Sequence, residues 1–311
     1  MILFSVVIPT YDRPEKLANC LAALSRLKYP QDSVEVLVVD DGSPRGIADI
    51  VEPFRAQLNL TDLRQKRCGP AAARNAGAAN ARGKFLVFID DDCCVSPGCL
   101  TAYEEAFRET PECLLSGRVE NANPDNSFVA TSELIIQVLL DNFLPEPGGI
   151  YFARSANLAL PSEAFATLGG FDNSFQTAED REFSDRWILS GQSIRVVAGA
   201  TVSHASTLSL NGFWRQHFRY GRGAYQFHRL RRARGSGGFR LEFLRFYVKV
   251  FAAPLNPPSR GSFRTLALLI LWQLANSSGF AFEFIRRRLL RRNAAAGRQG
   301  AAVSPVLLDD G

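Results

Sequence analysis

Three adjacent aspartates, Asp90, Asp91 and Asp92, follow directly on the apolar run Phe85 to Ile89. Carboxylates this close repel one another, and each resists leaving water. Hard oxygen donors at a strand end suit Mg2+ or Mn2+, and such an ion would offset the repulsion and hold a diphosphate. The plain alternative is a polar turn whose carboxylates point to water. A second acidic pair, Asp40 and Asp41 in VVDDGS, closes another apolar run. A carboxylate there can accept hydrogen bonds from a ribose or a base N–H, although Asp-Gly is also a common turn dipeptide. A third pair, Glu179 and Asp180 in AEDREF, stands where a loop enters a helix. The helix dipole alone explains acids in that place, but a carboxylate there also suits a general base that takes a proton from an attacking hydroxyl. His204 ends the apolar run TVSH and is a candidate third metal ligand.

Alternating elements must position these groups. Phe4 to Ile8, Val34 to Val39 and Phe85 to Ile89 read as buried strands. Arg13 to Leu27, Ile47 to Leu58 and the small-residue stretch GPAAARNAGAANARG read as helices, the last with Pro70 in its first turn. That alternation predicts an α/β fold with a doubly wound, mostly parallel sheet, whose ligands bind beyond the carboxyl ends of the strands. PTYD, DDGS and DDDC occupy those ends. Farther on, a helix is expected over Thr101 to Thr110 and a short strand near Leu114 and Leu115. A variable segment follows over Asn121 to Pro147, then a loop feeding a helix through AEDREF. SIRVVAGATVSH reads as a strand pair or hairpin.

With 311 residues, 46% of them hydrophobic, the chain is long enough for one large domain or two small ones. Cys20, Cys68, Cys93, Cys94, Cys99 and Cys113 fit neither zinc spacing nor a disulfide scaffold, so reduced thiols in a cytosolic setting are expected. The apolar start MILFSVVIPTYDRPEK lacks a basic leader and a small-residue cleavage site, so it reads as the first strand. A Rossmann oxidoreductase is excluded by the missing G-x-G-x-x-G, and a P-loop NTPase by the missing G-x-x-x-x-G-K-[ST].

Taken in order, SVVIPTYDRPEKL, VEVLVVDDGS, GPAAARNAGAANARGKFLVFIDDDC, ANLAL with GGFD, and EDREFSDRWILSG closely resemble the family 2 glycosyltransferases. The resemblance covers roughly residues 3 to 210 and implies a GT-A fold and an inverting, nucleotide-sugar-dependent, metal-assisted transfer. It places Pro9, Thr10 and Tyr11 on the nucleoside and Asp41 on the base or ribose. It places Arg74 and Asn75 near the uracil and diphosphate. Asp90 and Asp92 fill the ends of the family's DXD motif, with Asp92 as direct metal ligand and Asp91 reaching the ribose or sugar. Asp180 falls on the catalytic base with Glu179 beside it, and His204 on a histidine that helps bind metal in some members. The expected cofactor is Mn2+ or Mg2+, and the expected donor a UDP-sugar. Gln216, Arg219 and Tyr220 in RQHFRYGRGA resemble the QxxRW motif of processive synthases, with Tyr in place of Trp.

The chain divides, on this reading, into a catalytic domain over 1–209, a basic helical region over 210–292 and a flexible tail over 293–311. The catalytic domain has a nucleotide-binding half, 1–115, and an acceptor half, 116–209. Residues 210–292 hold sixteen arginines against two acidic residues, Glu242 and Glu283. A basic end on a near-neutral body suggests an anionic surface as partner. The apolar stretch 265–282 is interrupted by Gln273, Asn276, Ser277 and Ser278 and flanked by arginines. An in-plane or re-entrant element on a membrane surface fits it best, ahead of one span or a helix packed on the domain. The expected acceptor is a saccharide, lipid-linked in surface polysaccharide assembly, and the expected location is the cytoplasmic face of the membrane. Nucleic acid is not an expected partner. The rival from another class is a degenerate, non-catalytic scaffold that binds lipid or nucleic acid through its arginines.

Overall fold

The structure is a computed structural model that describes residues 1–142, 152–236, 242–256 and 261–301. In chain order the first half comprises β1 (Phe4–Thr10), α1 (Pro14–Leu24), β2 (Val34–Asp40), α2 (Ala48–Val51), β3 (Leu60–Arg64), α3 (Pro70–Ala79), β4 (Phe85–Ile89), β5 (Cys93–Val95), α4 (Cys99–Glu109) and β6 (Leu114–Asn121). The second half comprises α5 (Ser127–Asn142), β7 (Asn157–Pro161), α6 (Ser162–Thr167), α7 (Glu179–Leu189), β8 (Ile194–His204), α8 (Leu210–Arg234), α9 (Glu242–Ala252) and α10 (Ser262–Ala301).

The strands form one mixed sheet in the order β3-β2-β1-β4-β7-β6-β8-β5. β1 pairs in parallel with β2 and β4, so the three buried apolar runs lie side by side and end on one rim. Each is buried along its whole length, which is why these strands read as mostly apolar. The exceptions within the runs, Ser5 in β1 and Glu35 in β2, are buried and paired, the Ser5 hydroxyl donating to Glu35 Oε1 at 2.6 Å. Apolar side chains of α1 and α4 cover one face, and those of α3, α6 and α7 the other. Small residues let α3 lie close to the sheet. A Cβ on Gly77 would collide with Val7, directly under the helix that carries Arg74.

Several elements depart from the local pattern. β3 is an edge strand with a half-exposed, polar sequence, LTDLR, so no apolar run announces it. The helix expected over Ile47 to Leu58 is cut to α2 and a 3-10 turn, Glu52–Phe54, because Pro53 has no N–H to continue it. SIRVVAGATVSH is not a hairpin but the single strand β8. It pairs in parallel with β6, and the pairing jumps from Gly117–Val197 to Arg118–Thr201, so Ala198, Gly199 and Ala200 bulge out. The variable segment over Asn121 to Pro147 holds helix α5. Asn126 caps it, accepting hydrogen bonds from the backbone N–H groups of Phe128 and Val129. Residues 143–147 of that segment lie outside the described residues.

Helices α5, α8, α9 and α10 share an apolar cluster built from Ile135, Phe213, Phe246, Val250, Leu268, Leu269 and Trp272. α8 and α10 cross closely, since a Cβ on Gly221 would strike the Asn276 carbonyl and one on Gly279 the Phe218 carbonyl. α10 is one continuous helix and so is not re-entrant. It runs to Ala301, through the start of the segment expected as a tail, while residues 302–311 lie outside the described residues. By length and composition its Ser262–Leu290 part is able to cross a membrane.

Candidate active site

The rim formed by the ends of β1, β2 and β4 gathers most of the residues that the sequence singled out. Pro9 and Thr10 are buried in the last turn of β1, opposite Val39 and Asp40. The Thr10 hydroxyl donates to Asp91 Oδ2 at 2.7 Å and so braces that aspartate. Tyr11 follows, with the Arg67 guanidinium 3.9 Å above its ring. Asp41 accepts from Gln65 Nε2 and from the backbone N–H groups of Cys68 and Gly69, at 2.7, 2.8 and 2.8 Å. It therefore fixes the loop that carries Arg67 beside Tyr11. Gly42, at φ 85°, allows the two loops to pack.

Each aspartate of the DDD cluster has its own cation. Arg74 Nη2 lies 2.5 Å from Asp90, and Arg13 Nη1 3.0 Å from Asp91. Lys16 Nζ lies 2.9 Å from Asp92 Oδ2, and His204 Nε2 3.2 Å from its Oδ1. The expectation that a divalent ion offsets the cluster is thus incomplete: the chain itself brings at least one cationic side chain to each carboxylate, and Asp92 meets Lys16, His204 and Arg13. Asp91 has only 3% of its surface exposed, and burial raises its pKa despite Arg13 and Thr10. Burial would also raise Asp92, but His204 and Lys16 outweigh it and hold that carboxyl below the usual range.

Arg74, which the resemblance places near the uracil and diphosphate, makes contacts within the protein. Its side chain is 4% exposed and bridges Asp90 to Glu179, whose Oε1 accepts from Nη1 at 2.8 Å. It ties the end of β4 to the first turn of α7 and organises the site from beneath. Asn75 likewise makes contacts within the protein. Its amide donates to the Phe171 carbonyl and Asn173 Oδ1 and accepts from Phe171 N, pinning the GGFD loop.

Glu179 and Asp180 open α7 behind Ala178, which adopts the left-handed conformation at φ 69°. A non-glycine residue there costs of order 1 kcal/mol or more, so the surroundings must hold it. Helix α8 does so. Gly223 packs against Thr177, and the Thr177 hydroxyl donates to the Arg219 carbonyl at 3.1 Å. Asp180 accepts from Arg181 N at 2.8 Å and Ser155 N at 3.4 Å, and it has no ion-pair partner among the described residues. Burial raises the pKa of Asp180 and of Glu179.

Of the Gln216, Arg219, Tyr220 stretch, Tyr220 comes into the field of this pair. Burial leads in pushing its phenol up to about 12, Arg154 opposes, and Asp180, Glu133 and Glu179 add to the rise. The residue still keeps 40% of its surface exposed, which makes solvent a strong brake on that shift.

Sequence reasoning missed Arg13, Lys16 and the pair Glu133–Arg154. Arg154 holds Glu133 through two contacts, at 3.0 and 3.2 Å. Glu133 Oε1 in turn stands 3.9 Å from His204 Nδ1. Burial opposes protonation of His204, but Asp92 and then Glu133 carry it up to about 9. The Arg13 and Lys16 signal was available in YDRPEK, where a helix beginning at Pro14 must put both side chains beside the strand end.

The residues suit a divalent cation. Ligand atoms of Asp92, Cys93 and His204 lie within 4.8 Å of one another. The 3.2 Å between Asp92 Oδ1 and His204 Nε2 is the span that one ion with ~2.1 Å bonds bridges. His204 Nδ1 is buried without a hydrogen-bond partner. Cys93 is the poor member, since burial keeps its thiol protonated.

This geometry has relatives. The profile of Glycosyl transferase family 2 matches residues 5–166. Glycosyltransferase AglE of Haloferax volcanii is 26% identical over 225 residues, which cover 71% of this chain and 73% of AglE. The poly(ribitol-phosphate) beta-N-acetylglucosaminyltransferase TarS of Staphylococcus aureus is 27% identical over 215 residues, 66% of this chain but 36% of TarS. The solved structure of TarS 1–349 in complex with UDP superposes with a TM-score of 0.55 at 20% identity, over 92% of both chains. Mannosyltransferase PcManGT from Pyrobaculum calidifontis, in complex with GDP-Man and Mn2+, gives 0.62 at 17% identity, over 89% of this chain and 83% of that one. The non-catalytic scaffold reading falls with these matches. A GT-A sheet with acidic strand ends, matched by that profile over more than half of its length, belongs to glycosyl transferase family 2, and the chain is a glycosyltransferase.

Proposed function

We propose that the enzyme moves a sugar from a UDP-sugar to an acceptor hydroxyl with inversion at the anomeric carbon, and that Asp180 is the general base. The observation that carries this reading is the state of Asp180. It is held by backbone N–H groups alone and raised by burial, while its neighbour Glu179 is committed to Arg74. A carboxylate without a cation partner keeps its basicity.

Tyr11, Arg67 and the loop held by Asp41 form the nucleoside side of the site. A UDP donor is favoured by the TarS complex with UDP, to which the fold is similar. Asp92 and His204 would hold Mn2+ or Mg2+, with Asp90 and Asp91 behind them. When bound, that ion supplies positive charge to the departing diphosphate. Arg13 and Lys16 add fixed positive charge at the same end of the sheet. The acceptor hydroxyl gives its proton to Asp180 as its oxygen bonds to the anomeric carbon. The bond from that carbon to the diphosphate oxygen breaks on the opposite face, with no covalent sugar–enzyme intermediate. Product from an α-linked UDP-sugar is accordingly expected to be β-linked by proton NMR, and an α-linked product would sink the single-displacement reading.

For the acceptor we favour a lipid-linked saccharide, reached at the cytoplasmic face of a membrane through residues 210–292. α9 and α10 expose Leu244, Val248, Phe263, Ile270, Leu274, Phe282 and Ile285, Phe263 being 83% exposed. Exposed basic residues, Arg245, Lys249, Arg264, Arg286 and Arg288, stand on the same two helices. A spanning α10 would carry into hydrocarbon the arginine-rich α8 packed against it, at a cost of several kcal/mol. In-plane binding avoids that cost and adds about 1 kcal/mol for each basic residue near anionic lipid. Co-sedimentation is expected with phosphatidylglycerol vesicles and not with phosphatidylcholine, and it should be lost in the double variant Ile270→Glu, Leu274→Glu. Equal binding by that variant would contradict the surface assignment.

A further inference from the structure

Arg181 follows directly on the proposed base and has no role in the donor site. Its guanidinium lies between two aromatic rings, 5.4 Å from the Phe152 centroid and 5.1 Å from that of Phe227. Nε is shielded from solvent and has no hydrogen-bond partner among the described residues. Among the described residues no carboxylate comes within ion-pair distance of it. Arg231, stacked 5.6 Å from the Phe227 centroid, holds Asp185 at 2.8 Å instead. Two guanidinium groups therefore share one ring, and only one of them has a counter-ion among the described residues.

That arrangement is costly as it stands. A charge taken out of water is normally paired and hydrogen-bonded, and stacking on rings replaces only part of what water supplied. Burial and Arg231 both push the Arg181 pKa down, with Asp180 opposing. The other buried arginines of the site have carboxylate partners, Arg74 in Asp90 and Glu179 and Arg154 in Glu133, although Arg74 Nε, like that of Arg181, has no hydrogen-bond partner among the described residues. A missing anion at Arg181 explains the difference, and guanidinium binds the paired oxygens of a phosphate through two parallel hydrogen bonds.

The geometry points to Arg181 as the seat of a second anion subsite, one residue from the base, that holds a phosphate group carried by the acceptor. The inference rests on Asp180 marking the acceptor side and deepens that reading. The acceptor would then be a phosphoester whose attacking hydroxyl lies near its phosphate. The phosphate belongs either to a lipid-linked or to a water-soluble molecule.

The test uses the full chain saturated with UDP and Mg2+, so that the donor site is filled, and titrates it with glycerol 3-phosphate. A parallel arm uses monomeric dihexanoyl phosphatidic acid. Saturable binding is expected in the wild type. It should weaken at least about tenfold in Arg181→Gln and stay unchanged in the surface control Arg108→Gln, an exposed arginine of α4. Arg181→Lys, the variant to read if Arg181→Gln does not fold, is expected to weaken severalfold because lysine cannot bridge two oxygens. Tighter binding in the phosphatidic acid arm assigns a lipid source, and tighter binding of glycerol phosphate a soluble one. With UDP bound, no saturable phosphate binding by the wild type, or equal affinity in the folded Arg181 variants, would overturn the subsite. Failure of UDP itself to bind would instead strike the donor site, so the two failures are told apart.

Discussion

Asp180→Asn is expected to lower the rate of UDP release from a UDP-sugar by ~10²–10⁴-fold while the fold and the affinity for UDP are unchanged. The asparagine keeps the shape that receives the N–H groups of Arg181 and Ser155 but cannot take a proton. Arg74 still bridges Asp90 and Glu179, so the frame around the base survives the change. The pH profile supplies a second readout. The base works deprotonated, and burial raises its pKa above the ordinary aspartate value of ~3.9. Activity in the wild type should therefore rise with pH through a limb displaced upward from that value. A loss smaller than tenfold in the variant, or an acid limb at the ordinary position, would remove Asp180 from the base role.

Asp92→Asn is expected to remove the metal-dependent part of nucleotide binding, lowering UDP affinity in Mn2+ by ~10–100-fold or more, to the level found with chelator. The substitution leaves Asp90 with Arg74 and Asp91 with Arg13, so the ion pairs of the other two aspartates persist. It also releases His204. Asp92 is the main group that raises that imidazole to about 9, so its loss should let the pKa fall toward the ordinary ~6.5. Histidine titration by NMR reads that change without any assay of turnover. In the wild type at pH 7.5, His204 is protonated before metal arrives, and Mn2+ loading should expel about one proton. Unchanged metal-dependent affinity in the variant would show that Asp92 is not a ligand.

The legible parts of this molecule were those whose causes are local. β1, β2 and β4 are buried on both faces, and each wrote a mostly apolar run that ends in its own acidic or polar group. The order of those groups along the chain was enough to suggest the family and the fold. Pairings across the fold were not legible. Lys16 meets Asp92 across 76 positions and Arg74 meets Glu179 across 105, and no window of sequence contains both partners. The three aspartates therefore looked uncompensated, and a metal ion was given the whole task of balancing them. The protein partners of Arg74 and Asn75, Glu179 and the GGFD loop, were equally out of reach of the local pattern. Helix α5 was hidden for a different reason. Its cap at Asn126 is a plain signal, but the polar turn before it resembles a loop, and Glu133 was lost with the helix.

The central claim is that the rim of β1, β2 and β4 is a metal-assisted donor site for a nucleoside diphosphate. Calorimetric titration of the wild type with UDP, once in Mn2+ and once in chelator, tests it most directly. One saturable site in Mn2+, with affinity that collapses in chelator, is the expected result. No UDP binding in Mn2+, or binding that is indifferent to the metal, would contradict the account.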